Sequence, residues 1–218
     1  MSRIAIVGGH GKVAQQLHGV LKDHGHVPVA LVRKEEYRSE LEALGAEVRL
    51  LDIEAQDADG FAAAFEGCDA VVFAAGGGAD GNIERKRTVD LEGSTKSIEA
   101  AGKAGIRRFV QVSAIGVDNP VGDDVEEAWK AYVDAKRGAD EALRASDLDW
   151  TIIRPGGLTD DPGTGQVALA ETLERGEVPR ADVAAVVAAC LVDDRTIGKQ
   201  WELVGGSTPV AAAIEQAV

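Results

Sequence analysis

Short apolar runs alternate with stretches of helical period along the first 155 residues, and this alternation constrains the fold more than any other feature of the chain. The runs at 3–7, 27–32, 47–51, 70–75, 109–113 and 150–154 read as strands. The stretches at 12–24, 35–44, 57–65, 83–104 and 126–145 read as helices, the fourth of them ended by Gly105. The runs are almost continuously apolar, as in strands buried on both faces. Strand, helix and strand repeated in this way imply right-handed crossovers. The fold class expected is therefore α/β, a doubly wound parallel sheet. Past Pro155 the pattern loosens into a Gly-, Asp- and Thr-rich loop at 156–165, helices at 167–174 and 181–191, a strand at 200–204 and a last helix at 209–217. No internal repeat, linker or second core interrupts it, so residues 1–218 read as a single domain with a small C-terminal appendage.

Composition excludes several classes. With 45% hydrophobic and 28% charged residues in 218, the chain can bury one sizeable core. Cys68 and Cys190 are too few for a disulfide framework and read as reduced thiols in or near the core. No apolar stretch approaches the roughly 20 residues of a membrane span, and the first residues read as a core strand rather than a leader, so a cytoplasmic location is expected. A net charge of -14 argues against a nucleic-acid partner, which needs a basic face. His18, His24 and His26 lack carboxylate or cysteine neighbours at ligand spacing, so no metal site is expected.

The first strand runs directly into Gly8-Gly9-His10-Gly11-Lys12-Val13-Ala14. Free N–H groups and the positive end of a helix dipole converge there, a setting suited to a diphosphate. The spacing fits Gly9-x-Gly11-x-x-Ala14 or Gly8-x-x-Gly11-x-x-Ala14, and either makes residues 8–13 a dinucleotide phosphate turn. The end of the second strand then bears on which dinucleotide. Where an acidic residue would hold a ribose 2′-hydroxyl, Arg33 and Lys34 stand 22 and 23 residues after Gly11. A cationic pair favours a 2′-phosphate, hence NADP (NADPH), with Lys12 as a third charge able to reach it; the competing reading is that Arg33 and Lys34 merely cap a strand. Asp52 is placed to accept the adenine amino group, with Ile53 on the ring face. Ala74, Ala75 and Gly76 leave bare backbone beside the ribose and diphosphate.

Ser113 ends the fifth strand, on the sheet edge where ligands of open α/β folds lie. Tyr132 and Lys136, four apart in a helical stretch, share a face. An ammonium beside a phenol lowers its pKa and suits it to proton exchange with a carbonyl or hydroxyl. The competing reading is an amphipathic helix with Lys136 facing solvent. Trp129, Trp150 and Trp201 read as core, although Trp129, three residues before Tyr132, could face a flat substrate. The acidic loop 118–127 either borders the pocket or is simply solvated. No Gly-x-Ser-x-Gly elbow surrounds Ser113, so a hydrolase is not expected.

Gly8-x-x-Gly11-x-x-Ala14, Val112-Ser113 and Tyr132-x-x-x-Lys136 resemble the short-chain dehydrogenase/reductase superfamily. Ile152-Ile153-Arg154-Pro155-Gly156 and Arg180-x-Asp182-Val183-Ala184 resemble its atypical branch, near the NmrA-like and flavin/biliverdin-reductase-like proteins. The resemblance covers essentially the whole chain. It implies a Rossmann fold, NADP binding, and Ser113, Tyr132 and Lys136 as catalytic positions, with Arg154, Pro155 and Gly157 running past the nicotinamide. Many relatives have paired serines after the fifth strand; here Ala114 follows Ser113, so the catalytic serine falls on Ser113 or on a position filled by alanine. The short C-terminal region is too small for a nucleotide-sugar pocket.

The expectation is an NADP(H)-dependent oxidoreductase, a monomer or homodimer, acting on a small-molecule carbonyl, flavin or conjugated ring. Tyr132 would be acid/base, Lys136 would depress its pKa and hold the nicotinamide ribose, and Ser113 would hydrogen-bond the reacting oxygen. The alternative is an NmrA-like redox sensor that binds NADP(H) without turnover.

Overall fold

The computed structural model describes residues 1–78, 81–122 and 124–218. Its elements are β1 (Arg3–Val7), α1 (Lys12–Asp23), β2 (Val27–Val32), α2 (Arg38–Ala43), β3 (Glu47–Leu50), α3 (Ala58–Ala64) and β4 (Ala70–Phe73). Then α4 (Ile83–Arg85) passes through a π-helical segment, Lys86–Leu91, into α5 (Glu92–Lys103), followed by β5 (Arg108–Val112), α6 (Glu127–Arg144) and β6 (Asp149–Pro155). The remainder is β7 (Gly157–Thr159), β8 (Gln166–Ala170), β9 (Glu177–Pro179), α7 (Arg180–Val192), β10 (Lys199–Gly205), β11 (Thr208–Pro209) and α8 (Val210–Ala217).

The main sheet runs β11-β8-β10-β6-β5-β4-β1-β2-β3. Its pairs from β3 to β10 are parallel, and β8 is antiparallel to both β10 and β11. Strand order reverses between β1 and β4, so the loops after those strands part and open a crevice at their carboxyl ends. One core layer packs α1 and α7 on the sheet through Ala14, Leu17, Leu21, Val183, Val187 and Trp201. The other packs α3, α5 and α6 through Phe61, Phe65, Phe109, Ala100, Ala101 and Leu143. Asp57 caps α3 by accepting from Gly60 N at 3.0 Å, an interaction worth about 1 kcal/mol.

The expected helix at 167–174 is absent: residues 167–170 belong to strand β8, and 171–174 are irregular. Val-Ala-Leu-Ala-Glu has good helix propensity, but Val167 and Leu169 face Gly205 and Leu203 in the β10 register, and Val167 is fully buried. Pairing an open sheet edge outweighs a few tenths of a kcal/mol of local preference per residue. The C-terminal part thus extends the same sheet, and the loop expected at 156–165 contains β7, paired with β9. Both cysteines are free and buried; burial pushes the Cys190 thiol up to about 12. Among the described residues, no helix is long and apolar enough to cross a membrane.

Candidate cofactor cleft and active site

The three glycines of the first turn do different jobs. Gly8 has φ +81°, and a Cβ there would lie 2.7 Å from Ala75 Cα. At Gly9 a Cβ would lie 2.8 Å from Ala30 Cα. Both positions let the turn lie flat between β2 and β4. Gly11 closes the turn by donating its N–H to Gly8 O at 2.8 Å and stands as the N-cap of α1, with no side-chain cap. The first-turn N–H groups of α1 therefore point into the crevice without helical acceptors. Bare backbone at Gly8, Gly11 and Gly76 and a helix N-terminus lining one cleft fit a diphosphate, so a dinucleotide suits this cleft.

Gly8, His10, Gly11, Arg33, Asp52, Ile53, Ala74, Ala75 and Gly76 line that cleft, with Tyr37, Glu54, Arg85 and Val89 among their neighbours. The side chains of the other expected ligands do not line it. Gly9 sits beneath the turn, and Val13 is buried in the core. Lys12 is ion-paired to Asp160, which also pairs with Arg180, so its ammonium is drawn away from Arg33. Lys34 pairs with Glu36 at 2.8 Å and lies over the Tyr37 ring. His10 stacks on Tyr37 at 3.6 Å and reaches Glu40 at 3.1 Å, forming an outer wall. Asp52 Oδ1 accepts from Glu54 N and Ala55 N, which fixes the turn after β3.

The catalytic candidates converge on α6, where Tyr132, Lys136 and Asp140 are spaced at i, i+4 and i+8. Lys136 is buried, which removes the solvent-facing reading. Its Nζ is 3.2 Å from Asp90 Oδ1 and 3.4 Å from the carbonyls of Ala75 and Val112. It thus ties the ends of β4 and β5 together rather than standing open to a ribose. Burial is the largest single influence and opposes its charge, but Asp90, Tyr132 and Asp140 together outweigh it and its pKa is raised. The π-helical segment supplies Asp90, whose Oδ2 accepts from Gly77 N at 2.8 Å, and Lys86, whose ammonium donates to Gly78 O. π-Helical turns of this kind are frequent at functional sites.

Tyr132 lies between two ammonium groups, Lys86 and Lys136, at 5.7 and 5.9 Å from its ring centroid. Its pKa is nevertheless raised: burial dominates, Lys136 offsets it only in part, and Asp90 and Asp140 add to the rise. The direction is opposite to the depressed phenol expected, because burial outweighs the pull of the Lys136 ammonium. Trp129 is half-exposed beside that ring, 5.4 Å between centroids, and so does not belong to the core expected for it with Trp150 and Trp201.

Ser113 is held from behind. Its hydroxyl donates to Asp140 Oδ2 at 2.8 Å, and Asp140 also accepts from Gln111 Nε2 at 2.7 Å and Arg154 Nε at 2.9 Å. Burial raises the Asp140 pKa against the pull of Arg154. The hydroxyl proton of Ser113 is thereby engaged by Asp140, which leaves the lone pairs of its oxygen for a further partner. Arg154 is buried and its remaining donors go to Asp118 at 2.6 and 3.1 Å, so it anchors the loop after β5 instead of meeting a nicotinamide. Asp123, in the same acidic loop, lies outside the described residues. Pro155 O accepts from Ile115 N, and Gly157 N donates to Gly176 O, so both expected contacts serve as loop ties. The Arg180-x-Asp182 element is likewise explained: Asp182 accepts from Thr164 N and Gly165 N, at 3.0 and 2.8 Å, while Arg180 holds Asp160.

Nothing local in the sequence marks Asp90, Gln111, Lys86, Glu54 or Arg85 as site residues. Asp140 is marked only by its i+4 spacing from Lys136.

The model of a family described as NAD(P)H-binding matches residues 8–194. An uncharacterized sugar epimerase of Bacillus subtilis (strain 168), YhfK, is 43% identical over 98% of this chain and 99% of its own length. A Bacillus halodurans protein assigned to the NAD-dependent epimerase/dehydratase class superposes with TM-score 0.92 at 40% identity, covering 99% of this chain and 100% of that one. ChuY from Escherichia coli O157:H7, named an anaerobillin reductase, gives TM-score 0.75 at 28% identity over 94% of this chain and 97% of its own. With the glycine-turn cleft at the switch point of a Rossmann sheet, these place the chain in the NAD(P)H-binding family.

Proposed function

We propose that this protein is an NADP(H)-dependent reductase of the short-chain type, acting on a carbonyl, flavin or conjugated ring of a small molecule. The observation that carries the reading is the continuity of two sites. Ala75 lines the dinucleotide cleft and its carbonyl faces Lys136, on the same helix as Tyr132. A bound nicotinamide supplies the hydride. Tyr132, whose raised pKa keeps the phenol protonated at neutral pH, gives a proton to the oxygen or nitrogen that becomes negative. Lys136 and Asp90 fix the floor beneath that hydroxyl. Ser113, as acceptor, holds a hydroxyl on the substrate or on Tyr132.

Arg33 is half-exposed in the cleft and supports the choice of NADP(H). Arg33→Asp is expected to weaken NADPH about ten- to a hundredfold, the worth of a lost charge-assisted contact, with little change for NADH. Calorimetric titration of both cofactors checks this; equal losses would remove Arg33 from the phosphate site. The reading as a whole is tested by NADPH oxidation against a panel of carbonyls, quinones and flavins. A second reading has one observation in its favour: Ser113 donates to Asp140, which a redox-sensing binder without turnover would tolerate. NADPH binding with no turnover across that panel would favour it.

A further inference from the structure

Two arginines meet at the outer end of the cleft: Arg33, just past β2, and Arg85, the last residue of α4. Between them stands Glu54, its Oε2 3.8 Å from Arg33 Nη1 and 3.7 Å from Arg85 Nε. The carboxylate is held from behind by Thr88, which donates its hydroxyl to Glu54 Oε1 at 2.8 Å. Neither arginine contact is as short as an N–H···O bond, about 2.7–3.2 Å, so Glu54 neutralises the guanidinium groups without satisfying their donors. Arg85 Nε is moreover buried with no hydrogen-bond partner among the described residues. A buried N–H left without an acceptor is costly, and here it borders an open cleft.

We propose that Arg33 and Arg85 together form the seat of the adenosine 2′-phosphate, with Glu54 as a built-in counter-ion that the phosphate displaces. The inference rests on the NADP(H) reading above and adds two residues to it. A phosphate monoester brings up to two negative charges and three acceptor oxygens, which matches two guanidinium groups with unspent donors. Glu54 keeps the pair neutral before the ligand arrives and competes with the phosphate afterwards. It therefore limits how strongly NADP(H) is preferred, whereas a ribose 2′-hydroxyl carries no charge for it to repel. Glu54 and Arg85 become specificity-determining residues acting in opposite directions.

Calorimetric titration of 2′,5′-ADP and 5′-AMP into the wild type, Glu54→Gln and Arg85→Gln tests this, because the two probes differ only in the 2′-phosphate. Glu54→Gln is expected to tighten 2′,5′-ADP roughly three- to tenfold, and Arg85→Gln to weaken it by a similar factor, as for a half-exposed charge pair. Binding of 5′-AMP should stay the same in both variants and serves as their check of folding. Unchanged 2′,5′-ADP affinity in the variants would overturn the proposal. So would equal shifts for both probes, since Glu54 and Arg85 would then serve the adenine or the pocket wall. A wild type with no preference for 2′,5′-ADP over 5′-AMP would instead sink the NADP(H) reading itself, and this inference with it.

Discussion

Replacing Tyr132 by phenylalanine is expected to lower turnover by roughly two to four orders of magnitude, the usual contribution of a positioned acid. NADPH affinity should hardly change. The substitution removes one oxygen and keeps the ring, so the contact with Trp129 and the packing between Lys86 and Lys136 survive. Steady-state kinetics on whichever panel compound the wild type reduces, beside NADPH titration of both proteins, checks the result. Full activity in the Tyr132→Phe protein would mean that the acceptor takes its proton from solvent, as a flavin or extended conjugated ring can.

The raised phenol pKa gives the same prediction a pH signature. The acid form is the active one for reduction, and its pKa lies above the ordinary phenol value of about 10. The rate of reduction by the wild type should therefore be level from neutrality upward and fall only in strongly alkaline solution. A fall between about pH 7 and 9 would mean that the bound cofactor or substrate restores the lysine-dominated environment expected from the Tyr132-x-x-x-Lys136 spacing alone.

That contrast shows where sequence reasoning stops. The βαβ alternation, the glycine turn and the placement of Tyr132 and Lys136 on one helix are local patterns, and all three are present in the fold. What decides their chemistry is not local. Asp90 lies 46 residues before Lys136 and, in a helical stretch with Glu84 and Glu92 nearby, has nothing to mark it as buried. Asp140 resembles any acidic residue of an amphipathic helix until Gln111, Ser113 and Arg154 arrive from β5, the loop after it and β6. The Arg-Pro-Gly and Arg-x-Asp-Val elements point correctly to the family, yet their side chains secure loops and do not line the glycine-turn cleft. β8 escaped for a different reason: its alanines and leucine suit a helix, and only the open edge of β10 makes it a strand.

Lys136→Met should cost about 3–5 kcal/mol of stability, because it strips a fully buried carboxylate of its cation. Asp90 would keep Gly77 N–H on one oxygen and lose its Lys136 ion-pair partner on the other. Against a typical margin of about 5–15 kcal/mol, such a loss would leave the variant marginal or unfolded at ordinary temperature. Urea unfolding measures it. The double variant Asp90→Asn with Lys136→Met separates a structural ion pair from a ribose ligand. Removing both charges lifts the uncompensated burial, so most of the lost stability should return, even where the single variant is too unstable to purify. Cofactor affinity in the folded double variant then reports on Lys136 alone. Near-wild-type NADPH binding would assign the lysine to the floor of the site, as its contacts with Asp90, Ala75 and Val112 indicate. A loss of tenfold or more, corresponding to roughly 1.4 kcal/mol, would return it to the ribose. A single-variant loss below about 1 kcal/mol would show instead that the pair is solvated, and the ammonium would then be free to leave Asp90 for the cofactor.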